Sequence, residues 1–280
     1  MLVDLHCHST HSDGSLSAAN VAERARDRRV KLFCLTDHDS YAGYEATAKV
    51  FAQSPGVVLR GLEMSCKHSG RTIHLLMYGL KPGPGLDALE RRLEQVIAER
   101  RVRLRAIIGR LQELGVSLDE EALVASTHGK TPGRPDIAKA LLEAGVVNSI
   151  RQAFDRFLRD GGPADVPFKR ISLAEGLALG RAAGAKMSLA HPHTLRSHAL
   201  VEQLFRNFQA EGLEGIEAFY GQYAHLQRRP WLQFAAREGL VATGGSDFHG
   251  EALPAVTTLG TAICEEWGRK LCDWLGVEAA

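Results

Sequence analysis

Three histidines and two aspartates fall within the opening "MLVDLHCHSTHSDG". His6 and His8 stand one residue apart at the end of an apolar run. If Leu2 to His8 is a strand, side chains two apart share a face, so both imidazoles project one way and Cys7 the other. Such a pair is half of a metal site, and further acids and imidazoles follow at the ends of later apolar runs. Asp13 lies in the loop after the first run. Asp37 and His38 end the second, and Glu63 comes late in the third. His191 and His193 close "KMSLAHPH", and Asp247 and His249 close "GGSDFHG". Each piece alone has a plainer account: an H-x-H on a surface strand, "TDHD" as a helix cap, "SDFH" as an Asx turn. Together they share one structural position, the carboxyl end of a strand, where sites form in parallel α/β barrels and sheets. His74 is the exception, standing early in the fourth run. Six imidazoles and three carboxylates on one rim require cations to offset the repulsion among the acids. A metal centre is the expectation.

The elements that must position these residues read as alternating strands and helices. "MLVDLHCH", "KLFCLTDHD", "GVVLRGLEMSC" and "RTIHLLMYGL" are expected strands, with helices over "LSAANVAERARDRRV" and "YEATAKVFAQ". That alternation implies parallel pairing through right-handed crossovers. From Leu86 to Leu114 the apolar residues recur at helical spacing, and "SLDEEALVAS", "RPDIAKALLEAG" and "SIRQAFDRFLRDGG" read as further helices with no strand between. Residues 100–170 are therefore expected to form a helical insertion. Alternation resumes at "SLAE", a capping box with Ser172 as N-cap and Glu175 three residues on. It continues through the strands "AKMSLAHPH", "LEGIEAFYG" and "LVATGGSDFHG". Pro230 is expected to start or kink the helical segment before the last strand.

The bulk composition narrows the function classes. With 280 residues there is room for one large barrel or a core carrying an inserted subdomain. A formal net charge of +1 argues against binding extended nucleic acid by bulk electrostatics, though it leaves room for a local basic pocket. No apolar run approaches the roughly 18 residues that span a bilayer, and the N-terminus lacks a secretory pattern. Five cysteines form no C-x-x-C pair, against both zinc-finger and disulfide frameworks. Buried, reduced cysteines and a cytoplasmic location are expected.

"DLHCHSTHSDG", "TDHD", "GLEMS", "IHLLMYG", "AHPH" and "GGSDFHG" together resemble the polymerase-and-histidinol-phosphatase (PHP) family. The resemblance implies a distorted (β/α)7 TIM-like barrel over residues 1–99 and 171–280, with the insertion capping the active site. It also implies two or three divalent metals held by His6, His8, Asp13, His38, Glu63, His74, His191, Asp247 and His249. Glu63 would bridge two metals, with His6, His8 and Asp247 on one and His74 and His191 on the other. Asp13, His38 and His249 would hold the third. Mixed carboxylate and imidazole ligands suit Mn²⁺, Fe²⁺ or Zn²⁺; Mn²⁺ is the first expectation.

Clustered divalent metals can ionise a bridging water near neutral pH and clamp phosphoryl oxygens during in-line displacement. No protein nucleophile is needed, and no G-x-S-x-G is present. Asp247 and Glu63 are the expected catalytic carboxylates, and His193 is a candidate acid for the leaving oxygen or a brace beneath a ligand. Ser126, Lys130, Arg134, Lys169 and Arg170, close to Gly and Pro turns, are candidates to hold a substrate phosphate. Phe219 and Tyr220 end a strand where a rim aromatic can stack a nucleobase. The "GRPDIAKALLEAG" insertion resembles the branch of the family that acts on nucleoside 3′,5′-bisphosphates. A metal-dependent phosphatase removing the 3′-phosphate from such a nucleotide is the leading expectation. A 5′→3′ exonuclease on short oligonucleotides, a histidinol-phosphate phosphatase and a non-catalytic metal-binding module are the alternatives.

Overall fold

In the computed structural model, which describes residues 1–253 and 255–278, the apolar runs pair into a nearly closed sheet. The chain runs β1 (Leu2–Asp4), α1 (Ala18–Asp27), β2 (Leu32–Leu35), α2 (Tyr44–Phe51), β3 (Val57–His68) and β4 (Arg71–Tyr78). Helices α3 (Pro84–Glu113), α4 (Glu120–Ala125), α5 (Arg134–Glu143) and α6 (Ile150–Ala153) follow, the last continued by a π-helical turn over Phe154–Leu158. The remainder is β5 (Ile171–Ser172), α7 (Leu173–Ala182), β6 (Lys186–Leu189), α8 (His198–Phe208), β7 (Leu213–Tyr220), α9 (His225–Glu238), β8 (Val241–Gly245), β9 (Thr261–Ala262) and α10 (Glu265–Leu275).

The sheet order is β8-β7-β6-β4-β3-β2-β1-β9, with β5 added beside β3. Beyond Asp4 the chain stays bonded to the segment after β2 (Thr36 N–H to Cys7 O, 2.9 Å) and on its other side bonds to the end of β8: Leu5 N–H donates to Gly244 O (3.1 Å), and Asp247 N–H to His6 O (2.7 Å). A ring of seven strands, β1, β2, β3, β4, β6, β7 and β8, is thereby brought round on itself as a distorted (β/α)7 barrel. Closure depends on Gly245, where an added Cβ would fall 2.3 Å from the His6 Cβ.

All-parallel pairing does not hold. β4 runs antiparallel to both neighbours, β3 and β6. Its link to β3 is a two-residue hairpin, Ser69–Gly70, with φ of 47° and 78°. Positive φ at both loop positions matches the right-handed twist of the flanking strands. "SG" between two apolar runs is a hairpin signal, and it outweighs the alternation around it. The reversal also accounts for His74: early residues of a reversed strand lie level with the late residues of its parallel neighbours.

By its internal contacts the chain divides into two compact units, Met1–Arg91 with Arg170–Ala280, and Arg92–Lys169. The first break falls inside α3, ahead of the expected residue 100. Helical periodicity runs unbroken across it, so the boundary depends on which core each turn faces. The later turns bury Leu104, Ile107, Ile108 and Leu111 among Ile137, Leu141 and Leu158 of the second unit. The first unit has a core between α1, α2 and the strands, built on Val21, Ala22, Phe33 and Phe51.

Local signals behave as their chemistry dictates. Ser172 Oγ accepts from Glu175 N–H (3.1 Å) and starts α7, and Ser17 does the same for α1 from Asn20. Pro230 does not start α9 but lies inside it, the position at which a kink was the alternative expectation. Cys7, Cys34 and Cys66 are buried free thiols, whereas Cys264 is exposed and Cys272 half-buried. Among the described residues no helix is long and apolar enough to cross a membrane.

Candidate metal centre

Alternation along the segment after β1 turns His6 and His8 into the barrel mouth, while Cys7 goes to the apolar side against Cys34 O. Around them the strand ends deliver the other seven side chains. The ligand atoms fall into four overlapping groups, each within 4.8 Å: His8, Asp13, His38 and His249; His6, His8 and Asp247; His6, Glu63 and His191; His38, Glu63 and His74. All nine sequence-predicted ligands are among them.

Glu63 is the hub. Its Oε1 lies 2.8 Å from His74 Nδ1 and 3.1 Å from His191 Nε2. Its Oε2 lies 2.9 Å from His38 Nδ1, 3.3 Å from His8 Nε2 and 3.4 Å from His6 Nε2. Two oxygens thus divide five imidazoles between two sides, as a bridging carboxylate would. Asp247 Oδ1 faces His6 Nε2 (3.3 Å) and His8 Nε2 (3.4 Å), and Asp13 Oδ1 faces His249 Nε2 (3.3 Å).

Whether these residues suit a cation can be tested on the atoms that hydrogen bonding leaves over. His6 Nε2, His8 Nε2, His38 Nδ1, Asp13 Oδ1 and Glu63 Oε2 are buried side-chain atoms with no aligned hydrogen-bond partner. A buried polar atom without a partner costs about 1–3 kcal/mol, and here five orphans gather in one place. Electrostatics agree with that. Burial alone would push His6 down, but the carboxylates of Glu217, Asp247 and Glu63 hold its pKa well above the ordinary value. Burial likewise opposes charge on His38, yet Glu63 and Asp13 raise it to about 10. Against the cost of burial, surrounding imidazoles keep Glu63 and Asp13 well below the usual carboxylate range. His8 goes the other way: burial, then neighbouring His249, lower it to about 4, leaving a neutral ring with one nitrogen lone pair to donate. The pocket attracts positive charge, and its donor set is hard and borderline, the set that fits divalent Mn²⁺, Fe²⁺ or Zn²⁺.

A second layer of groups holds the donors in place. Glu217, fully buried in β7, accepts His6 Nδ1–H through Oε1 (2.9 Å) and His191 N–H through Oε2 (2.7 Å). This fixes the His6 tautomer with Nε2 toward the cluster, a carboxylate–histidine arrangement that raises ligand basicity. Tyr220 O–H donates to Asp247 Oδ2 (2.8 Å) and accepts from Gln222 Nε2 (2.8 Å). Asp37 accepts from Ser9 N–H, Ser9 Oγ and Ser12 Oγ, so it shapes the loop that carries Asp13. Asp4 accepts from Ser246 and Gly260 and anchors the loop that carries Asp247. Two of the nine, His191 (φ 25°) and Asp247 (φ 55°), are held in left-handed backbone that side-chain-bearing residues avoid.

Glu217 and Tyr220 are three apart on one strand and should face opposite ways. A bulge resolves this: Glu217 pairs with Thr243 and Phe219 with Gly244, so β7 carries one extra residue there. Phe219 consequently points away from the rim, beneath the Arg228 guanidinium (5.9 Å), and lines a cavity with Cys264 and Trp267. It does not stand where rim stacking was expected, while Tyr220 faces the cluster. His193 lies at the exposed edge, and its Nδ1 shares a hydrogen bond with the Tyr223 hydroxyl (2.7 Å).

The other substrate candidates have partners of their own. Lys130 pairs with Asp136, and Arg134 with Asp160 (2.7 Å) and Leu158 O (2.8 Å). Ser126 Oγ donates to Leu123 O (2.8 Å). Lys169 is exposed and Arg170 half-buried, both just before β5. Sequence reasoning missed Glu217, Asp4 and Tyr223; an acid inside the apolar run "LEGIEAFYG" is the signal that could have found the first.

Residues 4–157 match the family model described as PHP domain. The chain belongs to the PHP domain family. His191, Asp247 and His249 lie beyond the matched residues, and it is the barrel that brings them to the PHP site. Among relatives, the chain is 31% identical over 257 residues to a 3′,5′-nucleoside bisphosphate phosphatase of Chromobacterium violaceum, covering 88% of this chain and 87% of that protein. It is 32% identical over 251 residues to a 5′-3′ exoribonuclease of Haemophilus influenzae, covering 88% and 89%. A solved structure from Bifidobacterium adolescentis, assigned as a metal-dependent phosphoesterase, superposes with a TM-score of 0.83 at 27% identity, covering 97% of this chain and 95% of that one.

Proposed function

We propose that this PHP-family phosphoric ester hydrolase removes the 3′-phosphate from nucleoside 3′,5′-bisphosphates. One observation carries the metal-dependent part of the reading: a buried carboxylate, Glu63, is ringed by five imidazole nitrogens, with orphaned donor atoms turned into the same space. Protein groups alone leave that arrangement unsatisfied. His6, His8, Glu63 and Asp247 would hold one divalent ion, Glu63, His74 and His191 a second, and Asp13, His38 and His249 a third. Ions bound there would supply Lewis acidity toward phosphoryl oxygens and a water acidic enough to ionise near neutral pH.

The chain's own residues do the positioning. Glu217 keeps the His6 Nδ1 proton and, through the same carboxylate, pins the strained backbone at His191. The Tyr220 hydroxyl occupies Asp247 Oδ2, so Oδ1 alone is left to face His6 and His8. Tyr223 holds His193 through Nδ1, which leaves Nε2 as the nitrogen able to serve the leaving oxygen. The 31% identical bisphosphate phosphatase supports the choice of substrate.

The 32% identical exoribonuclease favours a second reading, stepwise 5′→3′ removal of nucleotides from short RNA by the same centre. One assay separates the two. Purified chain supplied with Mn²⁺ is given a 3′,5′-bisphosphate, the matching monophosphates, histidinol phosphate and a 5′-labelled oligoribonucleotide. Phosphate release specific to the bisphosphate is expected. Equal rates on the monophosphates would reject that specificity, and labelled mononucleotide release with no bisphosphate turnover would establish the second reading in its place.

A further inference from the structure

A cavity of about 270 Å³ opens beside the centre, between the β6–α8 and β7–α9 connections at the barrel's functional rim. Its walls are mostly apolar and flat: Pro192, Tyr223, Pro230 and Trp231, with His193 shared between cavity and centre. Trp231 is almost wholly buried, and its ring stacks on His198 at 4.3 Å with an interplanar angle of 11°. The two rings thus brace one another as a rigid wall. The polar residues at the cavity edge besides the two histidines are Gln227, Arg196 and Ser197, whose Oγ already accepts from Leu200 N–H (3.2 Å) and keeps its O–H to donate. Gln227 Oε1 is already taken by Ala224 N–H (2.7 Å), so its free valence is the Nε2 donor. Arg196, like any guanidinium, offers donors only. The cavity therefore suits a planar group with apolar faces and hydrogen-bond acceptors on its edge.

The rings between cavity and centre set the spacing. The His193 ring lies 6.3 Å from His191 and 5.1 Å from Tyr220, and Tyr223 lies 5.0 Å from His193. One imidazole separates the metal-ligating histidine from the cavity, much as one sugar ring separates a 3′-phosphate from the base of the same nucleotide. We propose that this cavity takes the nucleobase of the substrate, with Trp231 and Tyr223 as its specificity-determining surfaces. The assignment rests on the nucleotide reading above and gives it a site within the barrel unit. It also replaces Phe219, which points elsewhere, as the source of aromatic contact.

The test compares kcat/KM for a nucleoside 3′,5′-bisphosphate with that for the abasic 3′,5′-bisphosphate, in the unaltered chain, Trp231→Ala, Trp231→Phe and His198→Ala. Base–aromatic stacking predicts a preference of about tenfold or more for the base-bearing compound in the unaltered chain. Trp231→Ala should bring that ratio close to one, Trp231→Phe should restore most of it, and exposed His198→Ala should lower it in part. His198→Ala also keeps the idea testable if Trp231→Ala fails to fold. Equal turnover of the two compounds by the unaltered chain would overturn the base assignment while leaving the bisphosphate reading intact, as would a preference untouched by both variants. Hydrolysis of neither compound, with active phosphatase controls, would overturn the bisphosphate reading itself and the base assignment with it.

Discussion

Two sets of ionisable residues in this chain, the histidines and acids of the strand ends and the basic residues of the second unit, differ in how the structure satisfies them. At the barrel mouth, His6, His8, His38, Asp13 and Glu63 keep buried atoms with no aligned partner. In the second unit, Lys130 and Arg134 are each answered by a carboxylate, Asp136 and Asp160, and Arg103 by Asp165. Asp136 also accepts Gly133 N–H (2.7 Å) at the start of α5, so that pair is tied into a helix cap. A satisfied charge is accounted for by the fold. Five unsatisfied buried atoms that converge on one pocket, as at the barrel mouth, point to a cation, because their desolvation is otherwise uncompensated.

Variants that change satisfaction at the two places should differ in size. The largest effect is expected for Glu63→Ala. With the hub removed, turnover should fall by at least about a thousandfold, equivalent to the several kcal/mol a Lewis acid supplies, and elemental analysis should show metal lost with it. Glu63→Ala protein that keeps full metal content and activity would break the comparison at its centre. Removing metal with a chelator should abolish activity in the unaltered chain and lower its melting temperature, and Mn²⁺ should restore both. Ligand at a hundredfold excess over its Kd stabilises by about 2.7 kcal/mol, which calorimetry resolves readily.

Glu217→Gln tests the layer behind the donors. Gln cannot accept from both His6 Nδ1–H and His191 N–H, so metal affinity should drop about 10- to 100-fold, as read by competition with a chromogenic chelator. Tyr220→Phe deletes one hydrogen bond to a carboxylate, and a loss of about tenfold in kcat/KM is expected. The smallest effect belongs to the satisfied set. Lys130→Met should cost about 1 kcal/mol in urea unfolding, because the largely buried Asp136 loses its cation but keeps the Gly133 N–H donor. A larger loss there would show that the cap at α5 carries more of the second unit's stability than its ion pair suggests.

The candidate ligands were legible one by one. H-x-H after an apolar run, acids at strand ends, and "GGSDFHG" announce their chemistry through residue type and period alone, as do the Ser17 and Ser172 caps. The helical character of the second unit was legible too, from unbroken 3.6-residue periodicity, although the same continuity hid the boundary at Arg91. The reversal of β4 was signalled only by Ser69–Gly70, a two-residue cue against a long run of alternation.

Sequence by itself determined which side chains this protein has for chemistry and which local elements carry them, since strand parity, helix period and capping act over a few residues. Only the tertiary structure decided how they meet. The β7 bulge put Glu217 and Tyr220 on one side and sent Phe219 to the other, and reversal of β4 paired His74 with Ser65, within reach of Glu63. Long-range closure joined β1 to β8, residues some 240 positions apart in "VDLHCH" and "GGSDFH". Facing and satisfaction are properties of pairs remote in the chain, set by packing and hydrogen-bond geometry, which no local pattern encodes.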